Sequence, residues 1–318
     1  MASVEPIVAE TFMIPAADPD TQLCVRNKRL PPDDDATVGG AVLFVHGATY
    51  PSVSAFDGDL PGGSWAEIVA RRGYDVYLVD VRGYGGSSRP AAMDASPMAN
   101  PPFATTADAI RDVESAVHFI LARRKLSKLD LIGWSWGTAI AGGYTAQHND
   151  QVDKLVLYAP LWYFRGAPTL SATGAYRTVT HDDARARSVR GIPGPRIEEI
   201  SPTAWFEEWW ASTIATDPVG SKQHPPVLRA PNGVLKDFAD FWGAGKASWD
   251  PGCIRVPTLV IGGEWDQDAP PYMARDVFAG LVHTPCKRLV VIGEGTHVLA
   301  LEKHRMQLIG EVQRFLDE

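Results

Sequence analysis

Short, unbroken apolar runs recur along this chain and alternate with stretches of helical periodicity. Ala41-Val42-Leu43-Phe44-Val45 holds no polar residue, and Asp75 to Val81, Lys128 to Ile132, Lys154 to Tyr158, Thr258 to Ile261 and Arg288 to Ile292 read as further, largely apolar strands. A strand that is apolar on both faces needs cover on both faces. The cover is present between them. Thr105 to Arg124 sets Ile110, Val113, Val117, Ile120 and Leu121 at helical spacing, Ser64 to Arg72 reads as a short helix ended by Gly73, and Leu301 to Leu316 reads as a closing helix. The alternation predicts an α/β fold with a mostly parallel sheet covered by helices on both faces. Ile7 to Ile14 and Gln22 to Lys28 read as two further strands joined by the turn Ala16 to Asp20, and Pro31-Pro32-Asp33-Asp34-Asp35 as a surface loop.

The rhythm breaks after Pro160. Residues 161–250 are rich in Gly, Pro and Trp and carry polar stretches such as Thr180-His181-Asp182-Asp183-Ala184-Arg185, with helical pieces expected at 201–215 and 231–242. The α/β pattern then resumes. A chain of 318 residues fits one large domain with an insertion, here a core of residues 1–160 and 251–318 capped by residues 161–250.

Composition narrows the function classes. Charged residues are 21% and apolar residues 45%, which supports a sizeable core. The net charge is −8, and the densest basic run, Arg123-Arg124-Lys125, sits at a helix end where cations favour the dipole. Nucleic-acid binding is not expected. The three cysteines (Cys24, Cys253, Cys286) are far apart, which argues against a disulfide framework or a zinc site and for reduced thiols in a cytoplasmic protein. Met1 to Glu10 lacks the basic and apolar regions of a signal peptide, and no apolar run reaches the ~20 residues of a membrane helix.

Gly133-Trp134-Ser135-Trp136-Gly137 lies between a strand and a small-residue helix, Thr138 to Tyr144. A Gly-x-Ser-x-Gly there forces a sharp turn that pushes the serine hydroxyl outward, and side chains at the glycines would collide with strand and helix. Ser135 is the candidate nucleophile. A serine hydroxyl needs a base, and the base needs an orienting carboxylate. Val260 to Asp266 reads as a strand running into a turn, so Asp266 is the candidate acid, ahead of Glu264 and Asp268. Val290 to His297 repeats the arrangement on the last strand. His297 is the candidate base, since His118 and His148 fall in helices, His181 and His224 in the insertion, His283 in a connecting loop, and His304 on the outer side of the last helix. Backbone N–H groups of Trp136 and of Ala48, in the loop His46-Gly47-Ala48-Thr49-Tyr50, are the candidate oxyanion donors, with His46 as a brace for that loop.

These motifs together resemble the α/β-hydrolase superfamily, in its serine-nucleophile branch with a cap domain. The resemblance rests on His46-Gly47, Asp80-Val81-Arg82-Gly83-Tyr84-Gly85-Gly86-Ser87, Gly133 to Gly137, Gly263-Glu264-Trp265-Asp266 and Gly295-Thr296-His297. It implies an eight-stranded, mostly parallel sheet, a Ser-His-Asp triad and a variable cap after the sixth strand. A serine at the elbow departs from the aspartate of family epoxide hydrolases and haloalkane dehalogenases. Gly83 to Gly86 lacks the third glycine of a dinucleotide loop, Ser88 standing in its place, and no zinc-protease or phosphate-loop motif occurs. No cofactor and no metal are expected.

Six of the ten tryptophans lie in or beside the insertion: Trp162, Trp205, Trp209, Trp210, Trp242 and Trp249. As a group they favour an apolar or aromatic substrate. Tyr50, Trp134, Trp162, Trp209 and Trp210 are the candidate pocket residues. The expected reaction is hydrolysis of a small carboxylic ester or lactone through an acyl-enzyme. The same triad also serves amide or carbon–carbon bond hydrolysis and cofactor-free perhydrolysis, and a ligand sensor with a slow triad is the alternative from a different class.

Overall fold

The computed structural model describes residues 6–31, 40–166 and 173–318. In chain order its strands are β1 (Val8–Pro15), β2 (Gln22–Arg29), β3 (Ala41–Val45), β4 (Asp75–Val79), β5 (Leu129–Trp134), β6 (Val152–Tyr158), β7 (Tyr176–Val179), β8 (Leu228–Pro231), β9 (Thr258–Gly263) and β10 (Lys287–Ile292). Its helices are α1 (Ser52–Phe56), α2 (Trp65–Ala70), α3 (Thr106–Arg124), α4 (Trp136–Gln147), α5 (His181–Ser188), α6 (Ile197–Ile200), α7 (Thr203–Ile214), α8 (Gly233–Asp240), α9 (Pro271–Gly280) and α10 (Arg305–Asp317). Among the described residues, eight strands form one sheet in the order β1-β2-β4-β3-β5-β6-β9-β10, and β7 pairs with β8 in a separate antiparallel ribbon. From β4 to β10 all neighbours are parallel, and only β2 runs against its two partners. This is the eight-stranded, mostly parallel α/β-hydrolase architecture.

The central strands β3, β4, β5 and β9 are buried along their whole length, which is why their sequences do not alternate. Each buried Val, Leu or Ile contributes about 1.5–3 kcal/mol. The covering helices start where side chains satisfy their first N–H groups. Thr105 and Asp108 form a reciprocal cap on α3, and Ser64 accepts from the Glu67 amide on α2. Lys125 ends α3 in a left-handed conformation, and Arg124 in its last turn reaches Asp75 of β4 at 2.8 Å.

Some elements depart from the periodicity reading. Thr180 to Ser188 is helical despite its polarity, because Thr180 and Asp183 cap α5 reciprocally. The ribbon β7–β8 has strands of four residues each, too short for a periodic signal. Helix α10 begins at Arg305 because Leu299–Leu301 forms a separate 3-10 turn and buried Glu302 turns back onto Thr296. His304 therefore precedes the helix and is half-buried, not on its outer side. Of the expected surface loop, Pro32 to Asp35 lie outside the described residues. Among the described residues no helix is long and apolar enough to cross a membrane.

The segment between β6 and β9 lies across the carboxyl ends of the parallel strands. Trp209 Nε1 on α7 donates to the Ser54 carbonyl at 2.9 Å. Arg187 on α5 meets Asp268 after β9 at 2.8 Å, and Arg196 meets Glu294 after β10 at 2.9 Å.

Candidate active site

Ser135 joins β5 to α4 with φ 56° and ψ −119°, a conformation that L-residues avoid unless their surroundings enforce it. The enforcement is visible. The Ser135 amide donates to the Tyr158 carbonyl at 2.9 Å, and the Ser135 carbonyl accepts from the Thr138 amide at 2.9 Å and its hydroxyl at 2.6 Å. A Cβ on Gly133 would lie 2.3 Å from the Gly137 carbonyl oxygen, and one on Gly137 2.3 Å from the Val45 carbonyl oxygen. Only glycine admits strand and helix at this separation.

The structure brings Ser135, His297 and Asp266 together, although they follow different strands. His297 Nε2 lies 2.8 Å from Ser135 Oγ, and His297 Nδ1 lies 2.8 Å from Asp266 Oδ2. Asp266 Oδ1 accepts the amides of Asp268 at 2.9 Å and Ala269 at 2.7 Å, which holds Oδ2 toward the ring. With Nδ1–H donated to the carboxylate, Nε2 keeps a lone pair for the serine proton. The His297 carbonyl accepts from Trp134 Nε1 at 3.0 Å and from the Tyr158 hydroxyl at 3.1 Å, which ties this loop to β5 and β6. Behind it, Glu302 accepts from the hydroxyl and amide of Thr296. Burial pushes the Glu302 carboxyl up to about 7, against the pull of those hydrogen bonds.

The other carboxylates near the turn have different partners. Glu264 is exposed and accepts the Glu294 amide. Asp268 binds Arg187 and Arg190. Burial opposes ionisation of Asp268, yet Arg187, His297 and Arg190 hold its carboxyl well below the usual carboxylate range.

The loop after β3 runs against the serine. A Cβ on Gly47 would lie 3.0 Å from Ser135 Cβ and 3.1 Å from the Trp134 carbonyl oxygen, a tight approach that favours glycine. His46 lies 2.7 Å from the Gly47 carbonyl through Nδ1, and its Nε2 accepts the Val81 amide at 3.2 Å, so it spans the loops after β3 and β4. Burial lowers the His46 imidazole below its usual range, which keeps it neutral in this bridging role. Asp80 joins the same two loops, accepting the amide and hydroxyl of Ser52 and the Gly86 amide. The glycine-rich stretch that follows β4 therefore turns around the Asp80 carboxylate. Trp136 is the first residue of α4, where a helix leaves its N–H unpaired. Ala48 lines the cleft onto which Ser135 opens.

That cleft encloses about 400 Å³. Its lining combines apolar side chains, Leu161, Phe164, Val234, Leu235 and Phe238, with Arg177, Arg187 and Arg190 and with Thr49, Gln267 and Asp268. Tyr50, Trp134, Trp162, Trp209 and Trp210 are not among the residues that line this cleft, and each packs against other rings. Tyr50 stands edge-on to Trp209, and both border a crevice of about 20 Å³, room for about one water. Trp162 packs on Trp249 and Trp210 on His181. Trp134 stacks on Tyr158 beneath His297, and the Trp136 ring is buried with its N–H on Thr106. Large rings fill a small insertion best by covering each other, so their abundance reported its core. The arginines of the cleft escaped the sequence reading. The one available signal was Arg185, Arg187 and Arg190 clustered in a polar stretch, which equally describes a solvated helix face. Among the described residues no His, Cys, Asp and Glu side chains are grouped as a metal ion requires.

Comparison with known proteins agrees with this fold. A family profile described as "alpha/beta hydrolase fold" matches residues 40–177. The chain is 24% identical over 285 residues to the AB hydrolase superfamily protein YisY of Bacillus subtilis (strain 168), covering 85% of this chain and 90% of that protein. A thermophilic esterase from Thermogutta terrifontis superposes with a TM-score of 0.61 at 18% identity, over 97% of this chain and 98% of the esterase. A serine hydrolase from Cycloclasticus zankles superposes with a TM-score of 0.65 at 14% identity, over 98% of both chains. At these identities the two structures share the fold.

Proposed function

Since the chain belongs to the α/β-hydrolase superfamily, we propose that it is a serine hydrolase that cleaves a small carboxylic ester or lactone. The observation that carries this reading is the relay of two 2.8 Å hydrogen bonds from Asp266 through His297 to Ser135, at a strained turn facing an open cleft. In this reading His297 takes the Ser135 proton as Oγ attacks the carbonyl carbon. The amides of Trp136 and Ala48 receive the developing oxyanion, each worth about 3 kcal/mol of the barrier. His297, now cationic and steadied by Asp266, returns the proton to the leaving alcohol. Water, activated by the same imidazole, then releases the acid and frees Ser135. The segment 161–250 acts as the cap that closes the cleft over the substrate.

The test is Ser135→Ala against a panel of p-nitrophenyl esters, with fluorophosphonate labelling of the native protein followed by mass spectrometry. The expected result is label on Ser135 and a fall in kcat on the order of 10⁴-fold or more in the variant, at unchanged thermal stability. Equal turnover by the variant removes Ser135 from this role. Label without turnover on any ester moves the reading to the slow-triad ligand sensor.

A further inference from the structure

The arginines that line the cleft outnumber the carboxylates that line it. Arg177 on β7 donates to the Thr49 hydroxyl at 2.5 Å, the Pro231 carbonyl at 2.8 Å and the Asn232 side-chain oxygen at 3.3 Å, all neutral acceptors. Among the described residues no carboxylate pairs with it, and the stretch 167–172 (Ala-Pro-Thr-Leu-Ser-Ala) contains no acid. Arg187 and Arg190 share the single carboxylate of Asp268, one oxygen each. Three guanidinium groups thus face the cleft with one carboxylate between them. Burial depresses the Arg177 guanidinium, the direction expected of a cation removed from water without a counter-charge. A protein tolerates that cost when the missing anion arrives with a ligand.

The cluster is also tied to the proposed reaction centre. Thr49 Oγ1 accepts from Arg177 and, at 3.3 Å, from Arg187. Thr49 directly follows Ala48 and is held at φ 85°, which a β-branched residue adopts only under constraint. The arginines therefore brace the loop that carries Ala48, the proposed oxyanion donor.

We propose that the substrate carries a free carboxylate in addition to the scissile ester, held by Arg177 with Arg187 while its carbon chain lies against the apolar side chains of the cleft. The substrate class is a half-ester of a short dicarboxylic acid, or a lactone bearing a carboxylate. A guanidinium meets a planar carboxylate through two parallel N–H bonds, and Arg177 and Arg187 both line the cleft onto which Ser135 opens. This inference rests on Ser135 being the nucleophile, so its test includes a readout that needs no turnover.

The kinetic arm compares mono-(p-nitrophenyl) glutarate with p-nitrophenyl pentanoate, which differ in the terminal carboxylate. The native protein is expected to favour the half-ester in kcat/KM by about 10- to 100-fold, the range of a charged hydrogen bond. Arg177→Met should collapse that ratio toward one, and Arg190→Gln, at a half-exposed side chain that folding tolerates, should reduce it severalfold. The binding arm titrates glutarate and inorganic phosphate into Ser135→Ala protein by calorimetry. Glutarate binding that weakens with salt and is lost in the Arg177→Met background supports the carboxylate site even if no ester is turned over. Equal or better kcat/KM for the pentanoate, absent glutarate binding, or tighter binding of phosphate than of glutarate each overturns it.

Discussion

At the scale of single residues, the relay depends on which oxygen of Asp266 is free. Oδ1 is committed to two backbone N–H groups, so Oδ2 alone faces the imidazole. In Asp266→Asn the side-chain oxygen must stay with those amides, which turns the NH₂ toward His297 Nδ1. The ring is then forced to carry its proton on Nε2 and cannot accept one from Ser135. We expect kcat to fall about 10⁴-fold with the melting temperature within a few degrees of native. A variant that retains native kcat would show that His297 does not need this tautomer. Position 266 was readable in the sequence only as the best of three neighbouring acids, because spacing along a loop does not say which carboxylate turns inward. The hydrogen bonds of Asp268 to two arginines and of Glu264 to a loop amide are what separate them.

At the scale of elements, the approach of α4 to β3 sets the turn that carries Ser135. Gly137 is the contact point, with the carbonyl oxygens of Val45 and His46 at 2.3 and 2.7 Å from the place a Cβ would take. Both neighbours are backbone, so they can yield only by moving the strand. Gly137→Ala should cost about 3 kcal/mol, read as a lower urea midpoint, and should slow acylation of Ser135 because the turn is displaced. Unchanged stability would mean that helix and strand are not packed this closely. The glycines of this motif were legible from sequence, since strand, turn and helix are contiguous there. The capping box of α5, Thr180 with Asp183, was not read from the sequence, because the stretch lacks an apolar periodicity to mark a helix.

At the scale of the whole molecule, buried carboxyls set how stability responds to pH. Burial raises Asp130 in β5 from 3.8 to about 7 and Glu302 behind His297 from 4.5 to about 7. Both bind protons more readily folded than unfolded, so their effect favours the fold below pH 4 and erodes it as pH rises toward 7, by on the order of 3 kcal/mol each. Asp217 behaves oppositely. Although burial opposes it, Arg229 and three backbone amides hold it at about 2, so its contribution is present above 3.8 and disappears as pH falls through 2. Urea unfolding should therefore show lower stability at pH 8 than at pH 5, and the double variant Asp130→Asn/Glu302→Gln should flatten that slope; an equal slope in the variant would refute the assignment. The sequence alone determined the parallel sheet, the strained serine turn and the order of the three loops that meet there. Each of those is written in contiguous residues, as apolar runs, glycine positions and strand ends. The lining of the cleft was decided by tertiary structure, because Arg177 on a strand, Arg187 on a helix and Thr49 in a distant loop converge only when the insertion docks on the sheet. Periodicity reports which face of one element is apolar; it carries no information on which faces of separate elements share a cavity.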